Sequence, residues 1–253
     1  MFTVATGFFD IGREEWRHYT RKLEVYLTYF KNVLSLNVNM VVFTEPKFVE
    51  LVEEIRNGIS SRTIIVPLEI SELYMYQHLE KIQEIQNDPE FSVGHPNPLC
   101  PEVSKPLYNV VVCNKMDLLF KATELDTKSK YFVWLDGGYT HGNVDMSSLD
   151  WKPRSLFEHR DTLSMICLES IEVVGDDPRE FFLKYIDVIN GGFVGGYRDV
   201  VKKVRDLYYD LVVELFEVGL KDDDQFYHTI LAKRNPELFN LIRGGWYSAM
   251  DFS

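Results

Sequence analysis

Residues 131–135 read Tyr-Phe-Val-Trp-Leu, an unbroken aromatic and β-branched run that stops abruptly at Asp136-Gly137-Gly138. A run of this length without alternation suits a strand covered on both faces, and such strands occur in sheets that carry helices on each side. It therefore predicts a central strand of an α/β sheet. Where the run ends, Gly137 and Gly138 allow a sharp turn and a close approach of backbone amides to a ligand. Ligands of open α/β sheets sit beyond the carboxyl ends of the strands. Asp136 is placed there, as a candidate to hold a hard divalent cation beside a phosphate. An Asp-Gly pair at a strand end also serves as a plain turn former.

The rest of the chain alternates in the same sense. Residues 2–8 predict a first strand, and Trp16, Tyr19, Leu23, Tyr26, Leu27, Phe30 and Val33 recur at helical steps after it. Asp10 suits a capping role in the loop between them, and Arg13 a contact to base, ribose or diphosphate. Strands at 39–44 and 62–68 frame a helix at 47–56, and a further helix spans 71–86. This βαβ rhythm predicts a mainly parallel sheet flanked by helices in one domain, 1–253. Five prolines between 88 and 106 predict a long surface loop without regular structure.

A helix at 107–125 carrying Lys115, a turn-rich stretch at 143–160 and a strand at 163–168 follow. Four glycines within 189–196 argue against a regular strand there and favour close backbone approach, or a β-bulge. An amphipathic helix is predicted over 200–220. The run Asp222-Asp223-Asp224-Gln225 suits a helix start, with Asp222 as cap and His228 on the same face as Asp224.

Charge narrows the function. The formal net charge of −12, with no Lys/Arg cluster, disfavours nucleic acid and anionic membrane as partners. An anionic ligand would need a metal or a few local cations. Cys100, Cys113 and Cys167 form no zinc pattern, and no segment reaches the length of a transmembrane helix. The expectation is a soluble, cytoplasmic protein.

Taken in order, FDIGR at 9–13, the strand ending in WLDGG, NGGFVGG and DDDQ resemble a GT-A fold glycosyltransferase. More closely, TGFFDIGREEW, MVVF, the Lys115 helix and YFVWLDGGYTHG resemble the HtrL/YibB family of glycosyltransferase-like proteins from bacterial surface-polysaccharide loci. The resemblance implies a single GT-A-like (Rossmann-like) domain that binds a nucleotide-sugar donor and acts on a glycan acceptor in polysaccharide biosynthesis. It implies Asp136 as ligand of a divalent metal (Mn²⁺ or Mg²⁺) and of the diphosphate. Asp10 and Arg13, with Lys115, Gly137 and Gly138, would lie by the nucleotide. Asn190, Gly191, Gly192 and Gln225 would meet sugar or acceptor, and Asp223 or Asp224 would be the catalytic carboxylate.

One departure bears on the metal. The usual Asp-x-Asp has Gly138 at its third position here, so His141, Asp145 or His228 would have to complete the shell. Two rivals remain. One is a nucleotide-sugar or glycan-binding protein without turnover. The other is a metal-dependent phosphohydrolase using DGGYT with Thr140 and the VGDD at 174–177; its motif spacing is too short.

Overall fold

The computed structural model describes residues 1–252. Among these residues seven strands form one sheet: β1 (Phe2–Phe8), β2 (Met40–Thr44), β3 (Thr63–Pro67), β4 (Tyr131–Leu135), β5 (Leu163–Cys167), β6 (Ile189–Tyr197) and β7 (Phe239–Arg243). Their order across the sheet is β3-β2-β1-β4-β6-β5-β7. β4 is therefore central, with all five residues buried, as its unbroken apolar run requires. Every neighbouring pair is parallel except those made by β6, which runs against both β4 and β5. The α/β fold with a mainly parallel sheet matches the expectation.

Among the described residues nine α-helices connect the strands: α1 (Leu23–Leu34), α2 (Val49–Arg56), α3 (Leu79–Asn87), α4 (Pro101–Ser104), α5 (Pro106–Cys113), α6 (Lys115–Leu125), α7 (Pro178–Lys184), α8 (Arg198–Glu217) and α9 (Asp224–Arg234). The period-2 alternation of the strands divides the core into two layers. Val4, Val42, Val133 and Phe193 point to the side packed by α1 and α2. Ala5, Val41, Phe132, Trp134 and Val194 point to the side of α3, α5, α6, α8 and α9. No helix among the described residues is long and apolar enough to cross a membrane.

Several elements depart from their sequence pattern. The helix expected from Trp16 starts only at Leu23, because Gly12 (φ 68°) and Tyr19 (φ 57°) turn the chain out into an excursion. The helix expected over 71–86 opens with two 3₁₀ segments before α3. The 107–125 helix breaks at Asn114, whose side-chain oxygen accepts the Met75 backbone N–H at 3.0 Å. The Pro-rich loop contains α4, since Pro101 sits at the first helical position, where its missing donor does no harm. Neither α7 nor β7 was anticipated.

The glycine run at 189–196 forms β6, contrary to expectation. Its glycines make room for their neighbours: a Cβ on Gly195 would lie 2.9 Å from the Tyr131 hydroxyl, and one on Gly196 2.7 Å from Leu163. The register irregularity lies in the pairing with β5, between Met165 and Cys167.

Candidate active site

A cleft of about 380 Å³ opens at the carboxyl ends of β1 and β4. Because β6 alone is antiparallel, it delivers its first residues, Asn190 to Gly192, to this same edge. The amino-terminal ends of α6 and α9 bring Lys115 and Asp223–Gln225 to the opposite wall.

Lys115 is the junction of the site. Its Nζ lies 3.0 Å from an Asp136 carboxylate oxygen and 3.0 Å from Asp224 Oδ2, and donates to the Gly191 carbonyl at 3.1 Å. The side chain is nearly buried at a helix N-terminus, where desolvation and macrodipole both oppose positive charge. Two carboxylates offset both effects and hold the ammonium charged, with its affinity for the proton raised. Asp136 is fixed further by Trp134 Nε1, which donates at 2.6 Å, and by its own N–H to the Gly192 carbonyl. This convergence depends on Gly191, whose replacement by any residue with a Cβ would place that atom 2.4 Å from Asp224 Oδ2.

Asp222, Asp223 and Asp224 crowd together in a buried position. Burial, foremost, pushes all three carboxyls up, Asp224 to about 8, with Lys115 pulling against it and Asp223 adding to it. Burial thus disfavours the ionised form of each carboxyl, and the three titrations are linked. The helix cap is Asp223, which accepts the Phe226 N–H; Asp222 lies before it, which corrects the expected assignment.

The other predicted residues divide. Asp10 lines the cleft but is engaged locally, accepting from the Gly12 N–H at 3.0 Å and pairing with Lys47 at 3.2 Å. Arg13 also lines it, over the rings of Trp16 and Tyr26. Gly137 serves packing, since a Cβ there would stand 2.6 Å from the Gly7 carbonyl. Gly138 has room for a side chain, since an added Cβ would stand 4.0 Å from His141 and Tyr29. Asn190 links the Gly192 N–H to the Trp246 carbonyl, and Gln225 donates to Asp223.

His228 does not reach the cleft surface. It is fully buried with its ring against Tyr208, and burial drives its pKa down to about 3, so it is neutral. His141 lines the cleft and shares a 3.1 Å hydrogen bond with the Tyr247 hydroxyl, whereas Asp145 caps a surface turn. Among the described residues no three His, Cys, Asp or Glu side chains gather as a metal site. The donor set does not fit a resident divalent cation: one carboxylate is engaged by Lys115 and Trp134, the other by Lys115, and the shell candidates lie apart. Thr140 is buried beneath Asn32, Asp177 caps α7 and Asp176 is solvent-exposed, so the phosphohydrolase constellation does not form.

Sequence reasoning missed Arg21, Tyr26, Tyr108, Trp246 and Tyr247, all of which line the cleft. Gly244-Gly245 before Trp246-Tyr247 repeats the glycine-then-aromatic pattern of the other cleft loops and was the available signal.

The family model for bacterial proteins of unknown function named HtrL_YibB matches residues 1–252. Protein HtrL of Escherichia coli (strain K12) is 30% identical over 271 residues, covering 97% of this chain and 90% of its own. Mouse xyloside xylosyltransferase 1 in its apo form is similar in structure at 13% identity, with a TM-score of 0.49 and coverage of 95% and 84% of the two chains. A glycosyltransferase involved in glycosylation of the major capsid of PBCV-1 is 12% identical, with a TM-score of 0.41 and coverage of 96% and 81%. Likenesses this loose carry no functional argument. The family match and the HtrL relative both span nearly the whole length, and the chain belongs to the HtrL_YibB family.

Proposed function

We propose that the chain is a glycosyltransferase that takes a sugar from a nucleotide-sugar donor and passes it to a hydroxyl of a glycan acceptor. The observation that carries this reading is the meeting of Asp136, Lys115, Asp224 and the Gly191–Gly192 backbone in one cleft at the carboxyl edge of the sheet. That edge is where open α/β sheets bind nucleotide-like ligands.

In the reaction, the acceptor oxygen forms a bond to the anomeric carbon while the bond from that carbon to the diphosphate oxygen breaks. The electron pair leaves with the diphosphate, and the hydroxyl proton needs a base. Asp224, its carboxyl near neutrality and its position fixed by Lys115, is the candidate base; Asp223 supports it through the shared titration. Asp136, one-third exposed and held by Trp134 and Lys115, retains acceptor capacity for a donor hydroxyl. Glycines at 191 and 192 let Asp224, Gln225 and Tyr139 close in on the backbone that borders the donor's place.

The test is a thermal-shift and calorimetric panel of nucleotide sugars and free sugars. One nucleotide sugar should stabilise the fold by mass action, and Asp136→Ala should weaken it. Equal, negligible shifts for every nucleotide sugar would remove the reading.

A further inference from the structure

Arg13 and Arg21 both line the cleft, and neither stands among the ion pairs of the described residues, whereas Lys47 and Lys115 are each held by two carboxylates. Both guanidiniums lie over one ring: Arg13 is 5.4 Å and Arg21 5.0 Å from the centre of Tyr26. Arg13 is placed further by Trp16 at 5.3 Å and by its Nε donating to the Tyr19 carbonyl at 2.9 Å; Arg21 also approaches Tyr29 at 5.9 Å.

In a chain with a net charge of −12, two half-buried arginines left free of acids and facing one cavity are positive charge available to an anion. The rings hold the two guanidiniums in place and the Arg13 Nε is taken by Tyr19, which leaves terminal N–H groups for the bidentate geometry of phosphate oxygens. A pair of such forks suits two linked phosphates. Across the cleft, Asp136 and Asp224 are already paired with Lys115.

We propose that Arg13 and Arg21, stacked on Tyr26, form a diphosphate-binding site that works without a metal ion, the two guanidiniums taking the part that a divalent cation plays beside an Asp-x-Asp pair. This rests on the nucleotide-sugar reading and deepens it by naming what holds the donor's diphosphate. Asp136 then organises Lys115 and Asp224 and carries no metal.

The experiment is calorimetric titration of the full chain with inorganic pyrophosphate and with a panel of nucleoside diphosphates, in EDTA and in Mn²⁺. The proteins are wild type, Arg13→Ala, Arg21→Ala and, as a control, Arg17→Ala, which removes an exposed arginine outside the cleft. Arg21→Gln keeps part of the stem over the ring and replaces Arg21→Ala if that variant unfolds. Wild type should bind pyrophosphate equally well in EDTA and Mn²⁺. Arg13→Ala and Arg21→Ala should each weaken binding about tenfold or more, the loss of one charge-assisted hydrogen-bonded contact, with Arg17→Ala unchanged.

Binding that requires Mn²⁺, or binding in EDTA that both arginine variants leave unchanged, overturns the proposal while leaving a nucleotide-sugar donor in place. Pyrophosphate held by the arginines, with no nucleoside diphosphate bound more tightly, supports the site and removes the donor reading. No binding of any probe overturns both.

Discussion

Asp224 joins two roles in one carboxyl. Buried beside Asp223, it holds its proton up to about pH 8, whereas the unfolded chain releases it near the ordinary carboxyl value of about 3.9. Between those limits the folded state binds more protons than the unfolded state, so stability falls as pH rises and levels off above about 8. A base must be free of its proton, so activity should rise over the interval in which stability falls. Urea unfolding and a pH–rate profile together check this, and Asp224→Asn should flatten the stability slope while abolishing turnover.

Gly138 makes a second residue-scale case: its φ of −106° is ordinary and an added Cβ would come no nearer than 4.0 Å to His141 and Tyr29. Gly138→Asp should fold with a stability change within about 0.5 kcal/mol and gain Mn²⁺ affinity by calorimetry over wild type. Equal Mn²⁺ binding by both would contradict the metal-free site. Asp136, Asp224 and Arg13 stood out as singular residues, whereas Lys115 was placed by the nucleotide only through the family resemblance. Its role arises from partners 21 and 109 positions away in the chain, which local pattern does not report.

At the scale of elements, the site is made by a helix break and a glycine strand. The break at Asn114 starts α6 afresh at Lys115, inside the core rather than on its surface. Lys115→Met would leave two carboxylates without their shared cation, and should destabilise the fold by about 3–5 kcal/mol. Adding Asp224→Asn should restore part of that loss, measured by chemical denaturation as a double-mutant cycle. In β6, Gly191→Ala would drive a methyl into Asp224 and Gln225. It should cost about 1–3 kcal/mol of stability and reduce donor turnover further than donor binding. Unchanged turnover would show that the Asp224 position does not matter.

The strands were readable because buried β-branched runs are distinctive, and the run 131–135 coincides with β4. The helix before Leu23 was misread because Trp16 and Tyr19 keep helical spacing while serving the arginine cluster and the turn around it. The strand of glycines was unreadable because its stability comes from Tyr131, Leu163 and Asp224, all distant in sequence.

At the scale of the molecule, one parallel sheet with a single reversed strand gathers residues from seven separate segments at one edge. The alternation of elements made the parallel sheet and its layers legible. The order of strands was not, since it depends on where β6 and β7 insert, and β7 had too little pattern to register. Charge shows the same division: the chain is strongly acidic, while its cleft sets Arg13, Arg21 and Lys115 among Asp10, Asp136, Asp223 and Asp224. The central claim is donor turnover in this cleft, and phosphorus NMR of a nucleotide-sugar panel incubated with wild type and Asp224→Asn tests it most directly. The account predicts that wild type releases nucleoside diphosphate from one donor, and that Asp224→Asn binds that donor yet releases about a hundredfold less or lower still. Release at an equal rate by both proteins, or from no donor at all, would contradict it.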